Sequence, residues 1–309
     1  EMRRANLSSR TVTRTAVSQA VVPAEQPADG VFAACVEAIK PGITRLVTIT
    51  AAVGLILGGL HHAGLGVSDW VRLGVGVVLG TAMAAGGANA LNQWYESDRD
   101  GRMRRTARRP IPSGRLSAGA VFWLGIGLTM GGTALLYALC GTAPALIALA
   151  CAASYVILYT PLKPVTVWNT LVGTLPGALP TMIGTSAVAP GDGFGPLADP
   201  IGLALFALMT VWQIPHFLAI AWMCRTDYEQ GGFRMLPAVD PTGKLTAWII
   251  VGFSVLLIPI SAAVVFTVPD LLGWPTIAAC VLLGLPMVGL GVRVALEPTV
   301  KAARAVFIA

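Results

Sequence analysis

Charged residues are scarce in this sequence. They make up 12% of its 309 residues, whereas a soluble domain carries about 25%. Hydrophobic residues reach 55%, and the mean hydropathy is +0.73. This balance excludes an ordinary soluble enzyme, a disordered chain and a coiled coil. It predicts an all-α polytopic membrane protein, because several spans of about 20 residues each fit into this length.

Cysteine and histidine are also rare. The five cysteines show no paired spacing, so the sequence predicts neither a disulfide framework nor a zinc site. The three histidines, His61, His62 and His216, are too few and too scattered for a metal cluster.

Residues 1–40 lack an apolar run long enough to cross a membrane. Arginines stand there among Ser and Thr, with no acidic residue between Glu1 and Glu25. We expect a disordered basic cytoplasmic tail over 1–40, followed by one intramembrane domain over 41–309. A mitochondrial transit peptide is the alternative interpretation of the same composition.

Eight apolar segments predict a bundle of eight complete transmembrane helices, and residues 302–309 resemble the opening of a ninth, truncated at the C-terminus. The eight lie near 43–61, 70–91, 118–139, 142–159, 167–188, 201–222, 247–267 and 271–292. Basic residues concentrate in alternate connections, near 92–117, 160–166 and 223–246. Since Lys and Arg are enriched on the cytoplasmic side of membrane proteins, these connections and the N-terminus are predicted to be cytoplasmic.

The densest group of charges follows the second span. Ten of the 36 charged residues lie between Glu96 and Arg115. Asn92, Glu96 and Asp100 are spaced i, i+4 and i+8, so on a helix their oxygens share one face, with Asp98 on the adjoining face. Carboxylate oxygens suit Mg²⁺, and arginine forks match phosphate oxygens. The pattern predicts a metal–diphosphate site. The alternative is a solvated basic loop that only sets the topology.

Other polar residues lie near the same predicted face. Asp227 is a candidate ligand for a second Mg²⁺, and Arg225 or Arg234 is a candidate phosphate contact. A capped helix end with a surface ion pair is the alternative. Lys163 is a candidate point charge on diphosphate, or only a topology determinant. His216 lies within a span, where it is a helix–helix hydrogen bonder, a catalytic base or a porphyrin contact.

Four longer stretches carry a resemblance to a known family. They are KPGITRLV (40–47), RMRRTARRPIPSGR (102–115), YTPLKPVTVWNTLVGTLPGALPTMIG (159–184) and WQIPHFLAIAWMCRTDYEQGGFRMLP (212–237). Together with the Asn92, Glu96 and Asp100 spacing, they resemble the UbiA-type intramembrane prenyltransferases over roughly residues 38–305, most specifically the branch that farnesylates protoheme IX (the haem O synthases). Glu96 stands where many members have Asp. Met223 occupies the place of the earlier acid in the family's second acidic motif.

The resemblance implies a nine-span fold and a reaction. A farnesyl group passes from farnesyl diphosphate to the 2-vinyl group of haem B, giving haem O. The implied Mg²⁺ ligands are Asn92, Glu96, Asp100 and Asp227. Asp98 and His216 complete the candidate catalytic set, and the implied diphosphate contacts are Arg105, Arg109, Lys163 and Arg225.

The partners follow from the same resemblance. The expected partners are the two substrates, membrane lipid, and haem A synthase or the assembly of a terminal oxidase, with no nucleic acid. The expected location is the bacterial inner membrane, because the basic N-terminal tail is short and the first span follows it closely. The mitochondrial inner membrane is the alternative.

Two other functions are also compatible with parts of the sequence. One is prenyl transfer to another acceptor, such as 4-hydroxybenzoate or chlorophyllide. His216 in PHFLAIAW and the DYEQGG turn argue against it. The other is a transporter without chemistry. Transporters keep charged residues near the bilayer midplane, whereas the acids and arginines here gather at one predicted face.

Overall fold

The computed structural model describes residues 30–62, 64–191 and 193–309, and every regular element in these ranges is a helix. In chain order the helices are α1 (Val31–Ala38), α2 (Pro41–His62), α3 (Val67–Asp100), α4 (Ala118–Cys140), α5 (Thr142–Leu162), α6 (Asn169–Ser186), α7 (Pro200–Met223), α8 (Arg225–Gln230), α9 (Leu236–Val239), α10 (Lys244–Thr267), α11 (Trp274–Leu296) and α12 (Val300–Ile308). Two helices contain a π-helical segment: Gly76–Gly80 in α3 and Ser154–Tyr159 in α5.

Seven helices in the described ranges are long and apolar enough to cross a membrane: α2, α3, α4, α5, α7, α10 and α11. The all-α membrane fold is therefore confirmed. Helix α6 occupies the fifth predicted span, but its 18 residues do not meet the same criterion. Most of them are buried, because α6 packs between α2, α5 and α7. Eight complete spans, and a ninth beginning with α12, stay predictions.

Close helix contacts depend on small residues at the crossing points. Helix α2 meets α6 where Gly54 faces the backbone of Thr181, and where Gly184 faces the carbonyl of Ala51. A Cβ atom at either glycine would collide with backbone that cannot rotate away. Small residues of this kind let membrane helices approach closely. Here they bring α6 against α2, and α6 leads to the charged end of the bundle.

Helix α6 is also joined to α5 by a proline-dependent contact. Because Pro180 has no N–H group, the carbonyl of Pro176 loses its partner within the helix. The Cys151 thiol of α5 donates to that carbonyl over 3.0 Å. A neighbouring helix thus satisfies the freed backbone group, as a membrane interior requires.

The prediction that residues 1–40 form a disordered tail is wrong for residues 31–38, which form helix α1. Ala34 and Ala38 are buried and pack in one cluster with Ala90. Glu37 makes an ion pair with Arg115 over 2.5 Å. These contacts are tertiary, so the local composition did not reveal them. The rest of the predicted tail, apart from Gly30, Ile39 and Lys40, lies outside the described residues.

The charged end of the bundle is the end that carries Asp100, Lys163 and Arg234. Helix α3 ends there at Asp100, and α6 begins there after Trp168. The second charged connection, with α8 and α9, folds over the same end, because the amide of Arg234 donates to the carbonyl of Lys163 over 2.7 Å. The structure thus brings together connections that lie more than 60 residues apart in the sequence.

Candidate active site

Helix α3 presents a buried polar face near the charged end. Asn92, Glu96 and Asp100 share this face, with relative exposures of 1%, 5% and 0%. The i, i+4, i+8 spacing places them one turn apart. Asp98 is exposed and lies off this face. Two carboxylates buried at the end of a membrane helix are costly unless other groups compensate them.

Each of the three oxygen-bearing side chains on this face accepts a hydrogen bond from a different basic residue. Lys40 Nζ donates to Asn92 Oδ1 over 2.6 Å, and Lys163 Nζ donates to Glu96 Oε1 over 2.8 Å. Arg109 Nη1 donates to Asp100 Oδ2 over 2.6 Å. The three basic residues come from three separate connections. We call these six side chains the acid–base cluster.

Lys40 is the member that sequence analysis missed. It follows α1 in a left-handed backbone conformation (φ 49°), which residues other than glycine rarely adopt. This turn directs the side chain back to α3. Burial and the positive charge of Arg109 lower the pKa of Lys40 well below its ordinary value. Its only sequence signal was its place at the start of the KPGITRLV stretch.

Lys163 has the opposite electrostatic balance. Burial alone would lower its pKa, but the adjacent carboxylate of Glu96 outweighs that effect and raises the pKa of Lys163 above its ordinary value. The ammonium is therefore charged at neutral pH. The negative charge of Glu96 on α3 is thus balanced by Lys163, which comes from the connection between α5 and α6.

Hydroxyl groups fix the orientation of the polar face. Asn92 Nδ2 donates to Thr160 Oγ1 over 3.0 Å, and Thr160 in turn donates to the carbonyl of Tyr155 over 2.7 Å. Thr106 donates to the backbone carbonyl of Asp100 over 2.9 Å. These contacts hold the Asn92 oxygen toward Lys40 and hold the chain after Asp100 in a turn that returns Arg109 to the cluster.

The second charged connection closes over the cluster. Arg99 donates to the carbonyl of Gly231 over 3.1 Å, and Asn169 donates to the carbonyl of Arg234 over 2.9 Å. Gly232 takes a positive φ of 70°, which a glycine tolerates without strain. The turn sends Phe233 inward, where it is buried beside Met103. The DYEQGGFR segment is thus part of the wall of the site.

The remaining predicted residues lie at different distances from the acid–base cluster. Arg105 lines an open cavity of about 340 Å³ together with Lys40 and Arg109. Asp227 lies half-buried in the first turn of α8. Arg225 pairs instead with Glu229 on the surface over 3.0 Å, which is the surface pair that the sequence left open as an alternative.

His216 is not part of the acid–base cluster either. Its ring stacks between Trp212 and Phe307, with centroid distances of 4.9 and 4.7 Å. It therefore joins α7 to α12 through aromatic contacts. In this structure the His216 side chain therefore packs between two helices.

The donor set of the polar face fits a hard divalent cation. It offers two carboxylates and one amide oxygen, which are oxygen ligands of the kind Mg²⁺ takes. Asp100 Oδ1 is buried and has no hydrogen-bond partner among the described residues. In the same ranges no group of three His, Cys, Asp or Glu side chains converges. Any metal held on this face would therefore need further ligands, such as the oxygens of a substrate anion.

Comparison with known proteins identifies the family of this chain. Residues 49–309 match the UbiA prenyltransferase family. A protein named protoheme IX farnesyltransferase from Solibacter usitatus is 41% identical over 281 residues, which cover 88% of this chain and 92% of that protein. A protein of the same name from Salinibacter ruber is 41% identical over 235 residues, covering 76% of this chain and 78% of that one.

Two solved structures share the fold. One is of a digeranylgeranylglyceryl phosphate synthase, with a TM-score of 0.69 at 12% identity over 90% of this chain and 92% of the other. The other is a UbiA homologue from Aeropyrum pernix, with a TM-score of 0.66 at 19% identity over 87% and 94%. The family match and the sequence relatives show that this chain belongs to the UbiA prenyltransferase family, within the group of the protoheme IX farnesyltransferases.

Proposed function

We propose that this protein transfers the farnesyl group of farnesyl diphosphate to the 2-vinyl group of haem B, giving haem O. One observation carries the proposal: three oxygen-bearing side chains share a buried face of α3, and each is held by a separate basic side chain. Such a site suits an anion that arrives with a divalent cation. The name shared by the sequence relatives supports the choice of substrates.

Asn92, Glu96 and Asp100 would hold Mg²⁺, with Asp227 as a further ligand from α8. When bound, Mg²⁺ neutralises charge that develops on the departing diphosphate. Lys163 and Arg109 now lie on Glu96 and Asp100. Once those carboxylates serve the metal, the two cations would pair with diphosphate oxygens instead. Basic groups in a low-dielectric site stabilise such a leaving group far more strongly than they would in water.

The transfer exchanges a carbon–oxygen bond for a carbon–carbon bond. The C1–O bond of farnesyl diphosphate breaks, and its electron pair leaves with the diphosphate. The π electrons of the vinyl group form the new carbon–carbon bond to C1. Water then adds to the resulting cation and loses a proton, which completes the hydroxyethylfarnesyl group. Closure of the site by Phe233 and its loop would keep water from the farnesyl cation before the new bond forms.

The apolar parts of both substrates need room beside the charged end. Two apolar cavities open along α7, of about 490 Å³ and about 320 Å³. The smaller one lies nearer the charged end, since Trp168 and Leu236 line it. Hydrophobic cavities with a few polar groups at one end are typical of sites for such ligands.

The distribution of basic residues and the proposed reaction also indicate the orientation and the location of the protein. We place the charged end and the N-terminus in the cytoplasm, because the basic connections share that face, and we place the protein in a bacterial inner membrane. Its product would pass to haem A synthase or to the assembly of a terminal oxidase.

A choice of acceptors tests the proposal. Purified protein in lipid nanodiscs receives farnesyl diphosphate and Mg²⁺, with haem B in one sample and 4-hydroxybenzoate in another. We expect haem O, identified by mass spectrometry, in the first sample and no prenylated product in the second. Consumption of 4-hydroxybenzoate alone would refute the assignment of the acceptor.

The double variant Glu96→Ala with Asp100→Ala should lose turnover while remaining in the membrane. Unchanged turnover would refute the assignment of the site.

A further inference from the structure

The ammonium group of Lys163 is surrounded by aromatic rings as well as paired with Glu96. Its Nζ lies 4.5 Å from the ring centre of Tyr159 and 5.9 Å from those of Tyr155 and Phe233. All three rings lie within the distance at which a ring face attracts a cation. We call Tyr155, Tyr159 and Phe233 the aromatic cage.

Two elements far apart in the sequence build the aromatic cage. The π-helical segment Ser154–Tyr159 brings the rings of Tyr155 and Tyr159 to 5.8 Å with 23° between their planes. π-Helical turns inside α-helices are often found at functional sites. Gly173 of α6 leaves room for the Tyr159 ring, because a Cβ atom there would lie 2.6 Å from a ring carbon.

Phe233 completes the cage from the second charged connection. The amide of Arg234 donates to the carbonyl of Lys163 over 2.7 Å. The residue that follows Phe233 is therefore hydrogen-bonded to the lysine whose ammonium the Phe233 ring faces. The guanidinium carbon of Arg99 also lies 5.7 Å from the centre of the Phe233 ring. A backbone hydrogen bond therefore holds the segment that carries Phe233 beside Lys163.

A lysine paired with a buried carboxylate needs no further partner while that pair is intact. The situation changes if Glu96 turns to a metal, because the ammonium then loses its only ion-pair partner in the described part of the chain. A buried charge without a partner is strongly unfavourable. Ring faces supply a partner that stays in place through this change.

We propose that the aromatic cage is a positioning device that keeps the Lys163 side chain directed at the diphosphate when Glu96 serves the metal. The inference rests on the proposed function and adds residues to it. Tyr155, Tyr159 and Phe233 are positioning residues that act through Lys163. Loss of one ring's attraction should weaken binding of the diphosphate about 2- to 30-fold, and should leave the KM for haem B unchanged.

Fluorination of one ring tests the inference without changing its shape. Tyr159→Phe provides the starting point, and phenylalanines with one, two and three fluorine atoms replace it in turn, because fluorine weakens the negative ring face. The full chain in nanodiscs is titrated with farnesyl thiodiphosphate and Mg²⁺ in a calorimeter. We expect log Kd to rise with each fluorine. The same series at Phe206, which packs beside the apolar cluster around Leu55, should leave Kd constant.

A second series removes the cation. In a Lys163→Met background, the dependence of Kd on fluorine number at position 159 should vanish. A flat series with Lys163 present would overturn the proposal. A slope that persists without Lys163 would also overturn it, since the ring would then act on something else. Wild-type protein that binds the thiodiphosphate but does not convert haem B would refute the proposed acceptor alone, and the cage would still be tested.

Discussion

The ion pair between Arg109 and Asp100 gives a prediction with a defined magnitude. The two side chains meet over 2.6 Å and are 20% and 1% exposed. Arg109→Ala would leave Asp100 buried, with one oxygen that already lacks a hydrogen-bond partner among the described residues. Removing one partner of a buried pair typically costs about 3–5 kcal/mol. Because Arg109 is partly exposed, we expect about 2–4 kcal/mol here.

A matched surface pair provides the control. Arg225 and Glu229 also lie close, at 3.0 Å, but their side chains are 33% and 46% exposed and four residues apart on one helix. Pairs of this kind contribute about 0.3–0.5 kcal/mol. The free energy of unfolding of both alanine variants is measured by denaturant titration in the same mixed micelles, with the wild type alongside.

Adding Asp100→Asn to Arg109→Ala should recover most of the lost stability, because the uncompensated charge is then gone. It should not recover turnover, because the neutral side chain is a poorer metal ligand and the arginine is still missing. The electrostatic argument would be refuted if Arg109→Ala were no more destabilising than Arg225→Ala. It would equally be refuted if the second substitution left the stability of the single variant unchanged.

Three further predictions address other parts of the molecule. Lys40→Met should raise the Kd for farnesyl thiodiphosphate with Mg²⁺ at least about tenfold, because one hydrogen bond to a charged group is lost. Lys40→Arg should retain more of the affinity. Equal binding by wild type and Lys40→Met would exclude Lys40 from the site. Gly184→Ala should lower the free energy of unfolding by about 1–3 kcal/mol, because the added Cβ atom would collide with a carbonyl of α2. Gly127 faces open space, so Gly127→Ala is the control and should leave the stability unchanged. Burial opposes the charge of Asp240, but hydrogen bonds from the amide and hydroxyl of Thr246 hold the pKa of Asp240 below the ordinary value. The carboxylate therefore stabilises the start of α10 fully above about pH 4, and this stabilisation is lost as the pH falls further. The difference in unfolding free energy between wild type and Asp240→Ala should shrink below that pH, and a growing difference would contradict the assignment.

Local sequence patterns were sufficient for the polar face itself. The spacing of Asn92, Glu96 and Asp100 predicts one helix face, and the structure places all three there, buried. The predicted span ended near residue 91 because charges usually mark the end of a membrane segment. The helix continues to Asp100, since its acids are compensated by cations from other connections and do not need water.

The partners of that face could not be predicted from the sequence. Lys40 lies 52 residues from Asn92, and Lys163 lies 67 residues from Glu96. Such pairings depend on how the helices pack, and no local period records them. Sequence proximity was equally misleading for Arg225, which lies two residues from Asp227 yet pairs with Glu229 on the surface. The aromatic cage depends on a π-helical segment, which has no simple sequence signature.

The haem content of living cells tests the central claim most directly. A bacterial strain that cannot make haem O is supplied with this chain, and its membranes are extracted for haem analysis by liquid chromatography and mass spectrometry. We predict that the wild-type chain restores haem O. The Glu96→Gln and Asp100→Asn double variant, present in the membrane at the same level, should not. Absence of haem O with the wild-type chain correctly inserted, or equal haem O from the double variant, would contradict the account.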